Sequence, residues 1–193
     1  AVASEAVARV IRRPPLAPAF RSVPEYVHHW AGATPDRRAF TFVDHPAPHS
    51  RGVHRTLTWR RLDVRVRAVA ARLVEEAEPG ARVAVLCPQG LEYVTGFLGA
   101  LAAGMVAVPM YPPGLPGHGD RLAAVLADAR PAVVLTSSQV MDEVQDLCAD
   151  TDARVVAVDE VPDAAARELP PPGGEIAYLQ YTSGSTRTPA GVE

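Results

Sequence analysis

The chain has 193 residues with a formal net charge of −3; 48% of the residues are hydrophobic and 21% are charged. Such a chain can bury a substantial core, so we expect a globular protein consisting of one domain or a large part of one. The small negative charge does not provide the basic surface of a nucleic-acid-binding protein, and no stretch approaches the roughly 20 uninterrupted apolar residues of a membrane span.

The usage of Lys and Cys excludes several kinds of site. The sequence contains no Lys, so this chain supplies neither a Schiff-base lysine nor a Walker lysine. Cys87 and Cys148 are too far apart for a zinc motif and do not form a Cys-x-x-Cys pair, and we interpret them as small buried residues in a reducing compartment. Residues 1–10 contain Glu5 and Arg9 and lack a secretory apolar core, so the expected location is the cytoplasm.

The first part of the chain is predicted to contain helices and a small antiparallel flank. Residues 1–11 are compatible with a short helix, and Ser22 followed by Glu25 has the capping-box spacing of a second helix. His28 and His29 in that helix point about 100° apart, so we interpret them as surface or partly packed residues and not as metal ligands. Alternating residues then predict a pair of strands, 38–44 and 55–58.

Residues 58–78 predict an amphipathic helix. Its apolar stripe has spacings of four, three and four and comprises Leu62, Val66, Val69 and Leu73. The opposite side carries a cluster of arginines, which raises the alternative of a nucleic-acid-binding face. Because Asp63 and Arg67 form an i,i+4 pair and no aromatic residue interleaves, we interpret that side as an ordinary solvated face. Its charged residues are Arg61, Arg65, Arg72 and Glu76.

Strands and helices alternate in the next part of the chain. The continuous apolar run at 82–87 is typical of a parallel strand buried on both faces, and Gly96 and Gly99 in the following helix allow close packing. The elements predicted after this strand are a helix at 92–104, a strand at 106–111, a helix at 120–130, a strand at 131–137, a helix at 138–149 and a strand at 154–158. Short connections between them predict an α/β fold with an open, mostly parallel sheet and helices on both faces.

The last part of the chain carries the most specific pattern. A Pro/Gly linker at 169–175 separates the predicted α/β subdomain, 1–168, from a terminal unit, 176–193. That unit begins with an apolar strand at 176–181 and continues into a turn of small hydroxyl residues, which exposes several N–H and O–H donors together. Clustered donors are typical of phosphate-binding loops. A flexible linker is the alternative, and the preceding strand and the rigid Pro189 argue against it.

The turn is not a Walker motif, because no Gly-Lys-Ser/Thr follows its first glycine. Residues 182–191 read Thr-Ser-Gly-Ser-Thr-Arg-Thr-Pro-Ala-Gly, which resembles the phosphate-binding motif Thr-Ser-Gly-Ser/Thr-Thr-Gly-x-Pro-Lys-Gly of the adenylate-forming superfamily. Arg187 replaces the usual Gly and Ala190 the usual Lys, and this variant looks like the fatty acyl-AMP ligases. Residues 107–113, Ala-Val-Pro-Met-Tyr-Pro-Pro, resemble another segment of that family. The strand end at 111–113 either shapes the site or only terminates a strand.

The resemblance implies that the whole protein uses ATP and Mg²⁺ to convert a fatty acid into an acyl-adenylate. The acyl group would pass to the phosphopantetheine arm of an acyl carrier protein of a polyketide or peptide synthase. The residues that would bind the phosphates are Thr182, Ser183, Gly184, Ser185, Thr186, Arg187 and Gly191. The adenine pocket, acyl tunnel and catalytic Lys of the family lie downstream, so the chain is expected to be an inactive amino-terminal fragment without catalytic residues or metal ligands of its own.

Two other functions stay open. An acyl-CoA synthetase or an amino-acid adenylation domain shares the first half-reaction and passes the acyl or aminoacyl group to a different acceptor. A non-catalytic interaction module built on the same scaffold belongs to another class of protein.

Overall fold

A computed structural model describes residue 20 and residues 22–112, 114, 119–169, 176–182 and 190–192. The described helices are α1 (Val23–Ala33), α2 (Trp59–Glu76), α3 (Leu91–Ala102), α4 (Gly119–Ala129) and α5 (Met141–Leu147). The described strands are β1 (Arg38–Asp44), β2 (Val53–Thr58), β3 (Arg82–Val85), β4 (Val106–Pro109), β5 (Val133–Thr136), β6 (Arg154–Ala157), β7 (Gln180–Thr182) and β8 (Ala190–Val192). The predicted helix at 1–11 and the linker residues 170–175 lie outside the described residues.

A parallel sheet forms the centre of the molecule, with its four strands in the order β4, β3, β5, β6. Ala84 of β3 pairs with Val108 of β4 on one side and with Val134 of β5 on the other. The predicted open parallel sheet is therefore confirmed. In a sheet of this kind the carboxyl ends of the strands lie at one edge, which is the edge where ligands usually bind.

The two faces of this sheet are covered by different helices. On the side of α2 and α3, one hydrophobic core contains Val83 and Leu73. On the side of α4 and α5, a second core contains Ala84, Leu126 and Val144. Each of these side chains is at most 3% exposed. Helices cover both faces, as the uninterrupted apolar runs predicted.

Helix α2 packs against α3 through the predicted apolar stripe. Leu62, Val66, Val69 and Leu73 are each at most 2% exposed. Gly99 of α3 approaches α2 so closely that a Cβ at that position would lie 2.6 Å from Cγ1 of Val69, which is well inside normal contact distance. The close packing that the small residues of α3 predicted is therefore confirmed.

Helix α1 begins at the predicted cap and contacts α2 through a polar cluster. Oγ of Ser22 accepts a hydrogen bond from the backbone N–H of Glu25 at 3.3 Å, as an N-cap does. Nδ1 of the exposed His28 lies 3.2 Å from Oδ1 of Asp63, and Nε of Arg67 donates to Oδ2 of the same carboxylate at 2.9 Å. The predicted Asp63–Arg67 pair is confirmed, and the same carboxylate joins α1 to α2.

The predicted antiparallel flank is the hairpin of β1 and β2. The hydroxyls of Thr41 and Thr56 form a cross-strand hydrogen bond at 2.8 Å. Arg55 connects the hairpin to the start of α3, because its two terminal nitrogens donate to the two carboxylate oxygens of Glu92 at 2.8 and 3.2 Å. This bidentate geometry holds the hairpin against the sheet layer more firmly than a single contact would.

The prediction of a solvated arginine face on α2 holds for Arg61, which is 58% exposed, and is wrong for Arg65, which is only 14% exposed. Arg65 donates to the carbonyl oxygens of Val158 and Val161, both at 2.5 Å, and to Oδ1 of Asp163 at 3.0 Å. The reason is that α2 passes beside the turn that follows β6, where backbone carbonyls need donors. We call these contacts the Arg65 clamp.

Most predicted element boundaries lie within two residues of the observed ones, and two elements differ by more than that at their start. The helix predicted at 138–149 starts with a 3₁₀ turn, Ser138–Val140, and becomes α-helical at Met141. The strand predicted at 176–181 is regular only from Gln180, because Tyr178 makes an isolated bridge to β4 before the chain pairs with β8. Within the part of the chain that the structure describes, no helix combines the length and apolar character required to cross a membrane.

Candidate functional site

The segment that leads into the predicted phosphate-binding loop lies along the edge of the parallel sheet. The backbone N–H of Ala107 in β4 donates to the carbonyl of Ala177 at 3.0 Å, and the N–H of Leu179 donates back to the carbonyl of Ala107 at 2.8 Å. The bridge between Ala107 and Tyr178 is parallel. The segment therefore runs in the same direction as β4, and the chain leaves it at the carboxyl edge of the sheet.

Strands β7 and β8 form a two-stranded antiparallel ribbon at this edge. Its register pairs Gln180 with Val192, Tyr181 with Gly191 and Thr182 with Ala190. The ribbon brings the two ends of the predicted loop together, because Thr182 lies opposite Ala190, the residue before Gly191. Of the other predicted phosphate-binding residues, Ser183, Gly184, Ser185, Thr186 and Arg187 lie outside the described residues.

A cavity of about 350 Å³ opens beside this ribbon. Its walls come from the ends of β3 and β4, the start of α3, and β7. The lining residues are Cys87, Gln89, Tyr93, Pro109, Met110, Tyr111, Pro112, Gln180 and Tyr181. The two segments that carry the family resemblance thus meet at one cavity. Of the two roles left open for the strand end after β4, this arrangement favours shaping the site.

A larger cavity, of about 580 Å³, lies between α1, α2 and the chain at Glu168 and Leu169. It is lined by polar and apolar side chains, and the polar ones are Glu25, His28, His29, Asp63, Arg67 and Glu168. No described residue of either motif reaches it. The smaller cavity is therefore the better candidate for the functional site, because the sequence patterns converge there.

Cys87 on the floor of the smaller cavity is a protonated thiol under ordinary conditions. It is 1% exposed. Burial raises its pKa from 9.0 to about 12, and the negative charges of Glu92 and Asp159 act in the same direction. Since only the thiolate is a strong nucleophile, Cys87 lines the cavity and does not attack a substrate at neutral pH.

Tyr181 of β7 is anchored to helix α4. Its Oη donates a hydrogen bond to Oδ2 of Asp128 at 2.5 Å. Burial, together with the hydrogen bond and the charge of Asp128, raises the pKa of Tyr181 to about 12, and Arg82 opposes this increase. The phenol therefore stays protonated and remains a donor. Sequence patterns did not reveal this pair, because the two residues are 53 positions apart and belong to different elements.

The donor set of the described residues does not suit a resident metal ion. Within these residues, no three His, Cys, Asp or Glu side chains lie together as a metal-binding group. Mg²⁺ prefers several oxygen ligands in an octahedral arrangement.

Comparison with known proteins identifies the family. A family profile described as AMP-binding enzyme matches residues 27–193. The chain belongs to this family. It is 45% identical over 180 residues to the long-chain-fatty-acid AMP ligase FadD32 of Mycolicibacterium smegmatis, covering 89% of this chain and 28% of the relative. It is 44% identical over 180 residues to the 4-hydroxyphenylalkanoate adenylyltransferase of Mycobacterium marinum, covering 89% of this chain and 29% of that relative.

Solved structures of AMP-binding enzymes have the same fold. The crystal structure of a fatty acyl-adenylate ligase from L. pneumophila, in complex with acyl adenylate and pyrophosphate, matches with a TM-score of 0.74 and 30% identity. The match covers 90% of this chain and 30% of that chain. The predicted resemblance to the fatty acyl-AMP ligases and the predicted fold are confirmed, and the chain spans less than a third of the length of these proteins.

Proposed function

We propose that the protein containing this chain activates a fatty acid with ATP, forming an acyl-adenylate and releasing pyrophosphate. The observation that carries the proposal is the ribbon that closes the base of the Thr182–Gly191 motif at the carboxyl edge of the sheet. Its support comes from family membership and from 45% identity to a long-chain-fatty-acid AMP ligase. Carboxyl edges of parallel sheets are where nucleotide ligands bind in related architectures.

In this proposal the residues of the motif bind the phosphates of ATP. The donors are the backbone N–H groups and hydroxyls of Thr182, Ser183, Gly184, Ser185, Thr186 and Gly191, and the guanidinium of Arg187. Hydroxyl and amide donors suit phosphate oxygens, and a guanidinium adds a charge-assisted hydrogen bond. Mg²⁺ accompanies ATP in the proposal, and no ligand for it is assigned among the described residues.

The proposed reaction joins two anions. A carboxylate oxygen of the fatty acid attacks the α-phosphorus of ATP, the bond between the α-phosphorus and the bridging oxygen breaks, and pyrophosphate leaves with the electron pair. Catalysis of such a step depends mainly on positioning and on neutralising charge. In this proposal the contribution of this chain is to orient the phosphates through the donors of the motif at 182–191.

The proposed acceptor of the acyl group is the phosphopantetheine arm of an acyl carrier protein. This part is supported by the motif variant with Arg187 and Ala190, which resembles the fatty acyl-AMP ligases, and by the names of the relatives, which are AMP ligases and adenylyltransferases. The proposed location is the cytoplasm, where ATP is abundant and where free thiols such as the buried Cys87 and Cys148 stay reduced.

A second candidate substrate class is the arylalkanoic acids. It is favoured by the 44% identity to a 4-hydroxyphenylalkanoate adenylyltransferase. Both classes present a carboxylate on an apolar chain, so they share the adenylation chemistry and differ only in the shape of the acid pocket.

The test uses the complete protein with ATP, Mg²⁺ and either a long-chain fatty acid or a 4-hydroxyphenylalkanoate. We expect acyl-adenylate to accumulate with the fatty acid, little thioester to form with free coenzyme A, and the adenylate to be discharged by a phosphopantetheinylated carrier protein. Chromatography of the labelled acyl group gives the result. Rapid acyl-CoA formation would replace the ligase by an acyl-CoA synthetase, and no adenylate with either acid would leave the interaction module as the function.

The role of the loop is tested separately by Ser183→Ala and Thr186→Ala in the complete protein. A lost hydrogen bond to a charged group is worth about 1.5–3 kcal/mol, so adenylation should slow by roughly tenfold to a hundredfold while thermal stability stays nearly constant. Equal losses of stability and activity would show that these hydroxyls are structural.

A further inference from the structure

The β7–β8 ribbon is a short element at the edge of the parallel sheet, and Tyr181 is its described side chain that packs against the apolar cluster of Val108, Ala129 and Leu179. Each of its strands has three residues, and a two-stranded ribbon is at best marginally stable alone. On the sheet side, the preceding segment is held by the backbone hydrogen bonds of Ala107. Leu179, just before β7, packs against Val108 and Ala129 in a small apolar cluster. A point beyond Leu179 has to be fixed if the ribbon is to hold one orientation.

Tyr181 supplies that fixed point. It lies two residues before Ser183, and its Oη donates to Oδ2 of Asp128 in the last turn of α4 at 2.5 Å. A hydrogen bond from a neutral phenol to a carboxylate is charge-assisted and is stronger and more directional than a neutral one. Tyr181 also pairs with Gly191 in the ribbon, so fixing this residue fixes both strands that lead to the loop.

The acceptor is itself held rigidly. Ala129, next to Asp128, is fully buried, and its carbonyl accepts a hydrogen bond from Nη1 of Arg82 at 2.9 Å. Arg82 begins β3, so the last turn of α4 is attached to the central sheet. The hydrogen bond from Tyr181 therefore connects the ribbon, through α4, to the central sheet.

We infer that the Tyr181–Asp128 hydrogen bond is a positioning device that sets the orientation of the phosphate-binding loop relative to the sheet. Neither residue touches the nucleotide in this role, and both act through the ribbon. This role rests on the proposed function of the loop. Without the bond the ribbon at the base of the motif is held less firmly, so the binding of ATP weakens while the binding of the acid, which is held elsewhere, does not.

The test measures adenylation by the complete protein and its Tyr181→Phe, Asp128→Ala and Asp128→Asn variants. We expect Tyr181→Phe and Asp128→Ala to lower kcat/KM for ATP about tenfold, to leave KM for the fatty acid within about twofold, and to change Tm by no more than about 2 °C. Asp128→Asn keeps an acceptor oxygen and should restore most of the activity. The double variant should be no worse than the poorer of its parents.

Tyr178→Phe is the matched control, because it removes a hydroxyl from the same segment at a side chain that is 44% exposed, and it should leave every parameter unchanged. Equal changes in both KM values together with a lower Tm would make Tyr181 merely structural and overturn the inference. Unchanged kinetics in Tyr181→Phe would overturn it as well. If Ser183→Ala and Thr186→Ala slow adenylation and Tyr181→Phe does not, the loop function stands and only the positioning role fails. If the serine and threonine variants are fully active, the proposed loop function fails and the positioning role fails with it.

Discussion

The central sheet and the β7–β8 ribbon are held by different forces. Side chains of the sheet such as Val83, Val133 and Val134 are fully buried between two layers of helices. The ribbon pairs only three residues with three, and Val192 at its end is 52% exposed. Burial of apolar surface dominates the stability of the first region, whereas directional hydrogen bonds dominate the placement of the second.

This difference separates stability from ligand binding in the molecule. A change in the sheet should lower the free energy of unfolding, because its strands are packed in the hydrophobic cores on both faces. A change in the ribbon should alter the geometry of the proposed nucleotide site with little loss of stability, because the ribbon is short and its described end at Val192 is exposed. The predictions that follow test this separation.

The largest effect is expected for the thiol of Cys87, where the sheet meets the cavity. A pKa raised from 9.0 to about 12 lowers the thiolate fraction near pH 8 about a thousandfold. In a Cys148→Ser variant, iodoacetamide should therefore label the native protein about a thousand times more slowly than the protein in denaturant, as measured by mass spectrometry. Labelling within tenfold of the denatured rate would mean that the edge of the sheet opens readily.

The raised pKa of Cys87 also predicts how the stability of the protein changes as the pH becomes alkaline. The folded-state pKa of Cys87 lies above its ordinary value, so its contribution is fully present below about pH 9 and is lost as the pH rises toward 12. Unfolding midpoints measured from pH 8 to 11 should fall, and they should fall less steeply in a Cys87→Ala variant.

The next largest effect is expected when a substitution in the sheet leaves a cavity. Leu135 of β5 is fully buried, and Leu135→Ala should lower the free energy of unfolding by about 2–5 kcal/mol. Urea denaturation can be followed by the fluorescence of Trp30 and Trp59, whose rings lie 6.3 Å apart in the interface of α1 and α2. If Tyr181→Phe destabilised the protein as much as Leu135→Ala, the contrast between sheet and ribbon would not hold.

Overpacking between α2 and α3 should have a smaller effect. Gly99→Ala places a Cβ 2.6 Å from Cγ1 of Val69, so the helices must separate, at a cost of about 1–3 kcal/mol. Gly32→Ala is the matched control in α1, because no atom lies within 4 Å of the added Cβ, and it should stabilise by up to about 1 kcal/mol. Equal effects of the two substitutions in a thermal melt would contradict the close approach of α2 and α3.

Removing the Arg65 clamp should lower the free energy of unfolding about as much as Gly99→Ala does, or slightly less. Arg65→Met keeps the apolar stem and removes the guanidinium that donates to the carbonyls of Val158 and Val161, which costs about 1–3 kcal/mol. Arg61→Met removes a guanidinium that is 58% exposed and should cost no more than about 1 kcal/mol. The difference between the two urea midpoints measures the clamp, and equal midpoints would show that it adds nothing.

Much of the fold was predictable because its signals are local. Apolar runs predicted strands buried on both faces, and the spacing of Leu62, Val66, Val69 and Leu73 predicted the buried side of α2. The cap at Ser22 was predictable because an N-cap and its partner lie within three residues of each other. Each of these features depends on neighbours in sequence, which a single chain displays directly.

The features that sequence patterns missed depend on distant partners. The acceptors of Arg65 are 93 to 98 residues away, so its helix pattern alone suggested a solvated side chain. Strand β8 was not predicted, since a three-residue strand containing Gly191 has no strand pattern of its own and forms only by pairing with β7. The strand predicted at 176–181 becomes regular only at Gln180, because its regular part forms by pairing with β8.

The candidate site was predicted through a motif and not through geometry. The residues from Thr182 to Gly191 resemble a family pattern, and the family is confirmed, but their contacts with phosphate remain a proposal. The cavity beside them was outside the reach of sequence patterns, because Cys87, Tyr93 and Tyr111 meet there only once the strands are side by side.

The Arg65 clamp also determines how the protein responds to acid. Hydrogen bonding from Arg65 lowers the pKa of Asp163 below its usual value, so the contribution of that carboxylate is present above about pH 4 and is lost as the pH falls through the lowered pKa. The other two acceptors are the carbonyls of Val158 and Val161, which have no proton to gain. Acid therefore removes one of the three bonds and leaves two, and α2 stays joined to the end of β6 in conditions where a contact made only of carboxylates would already have separated.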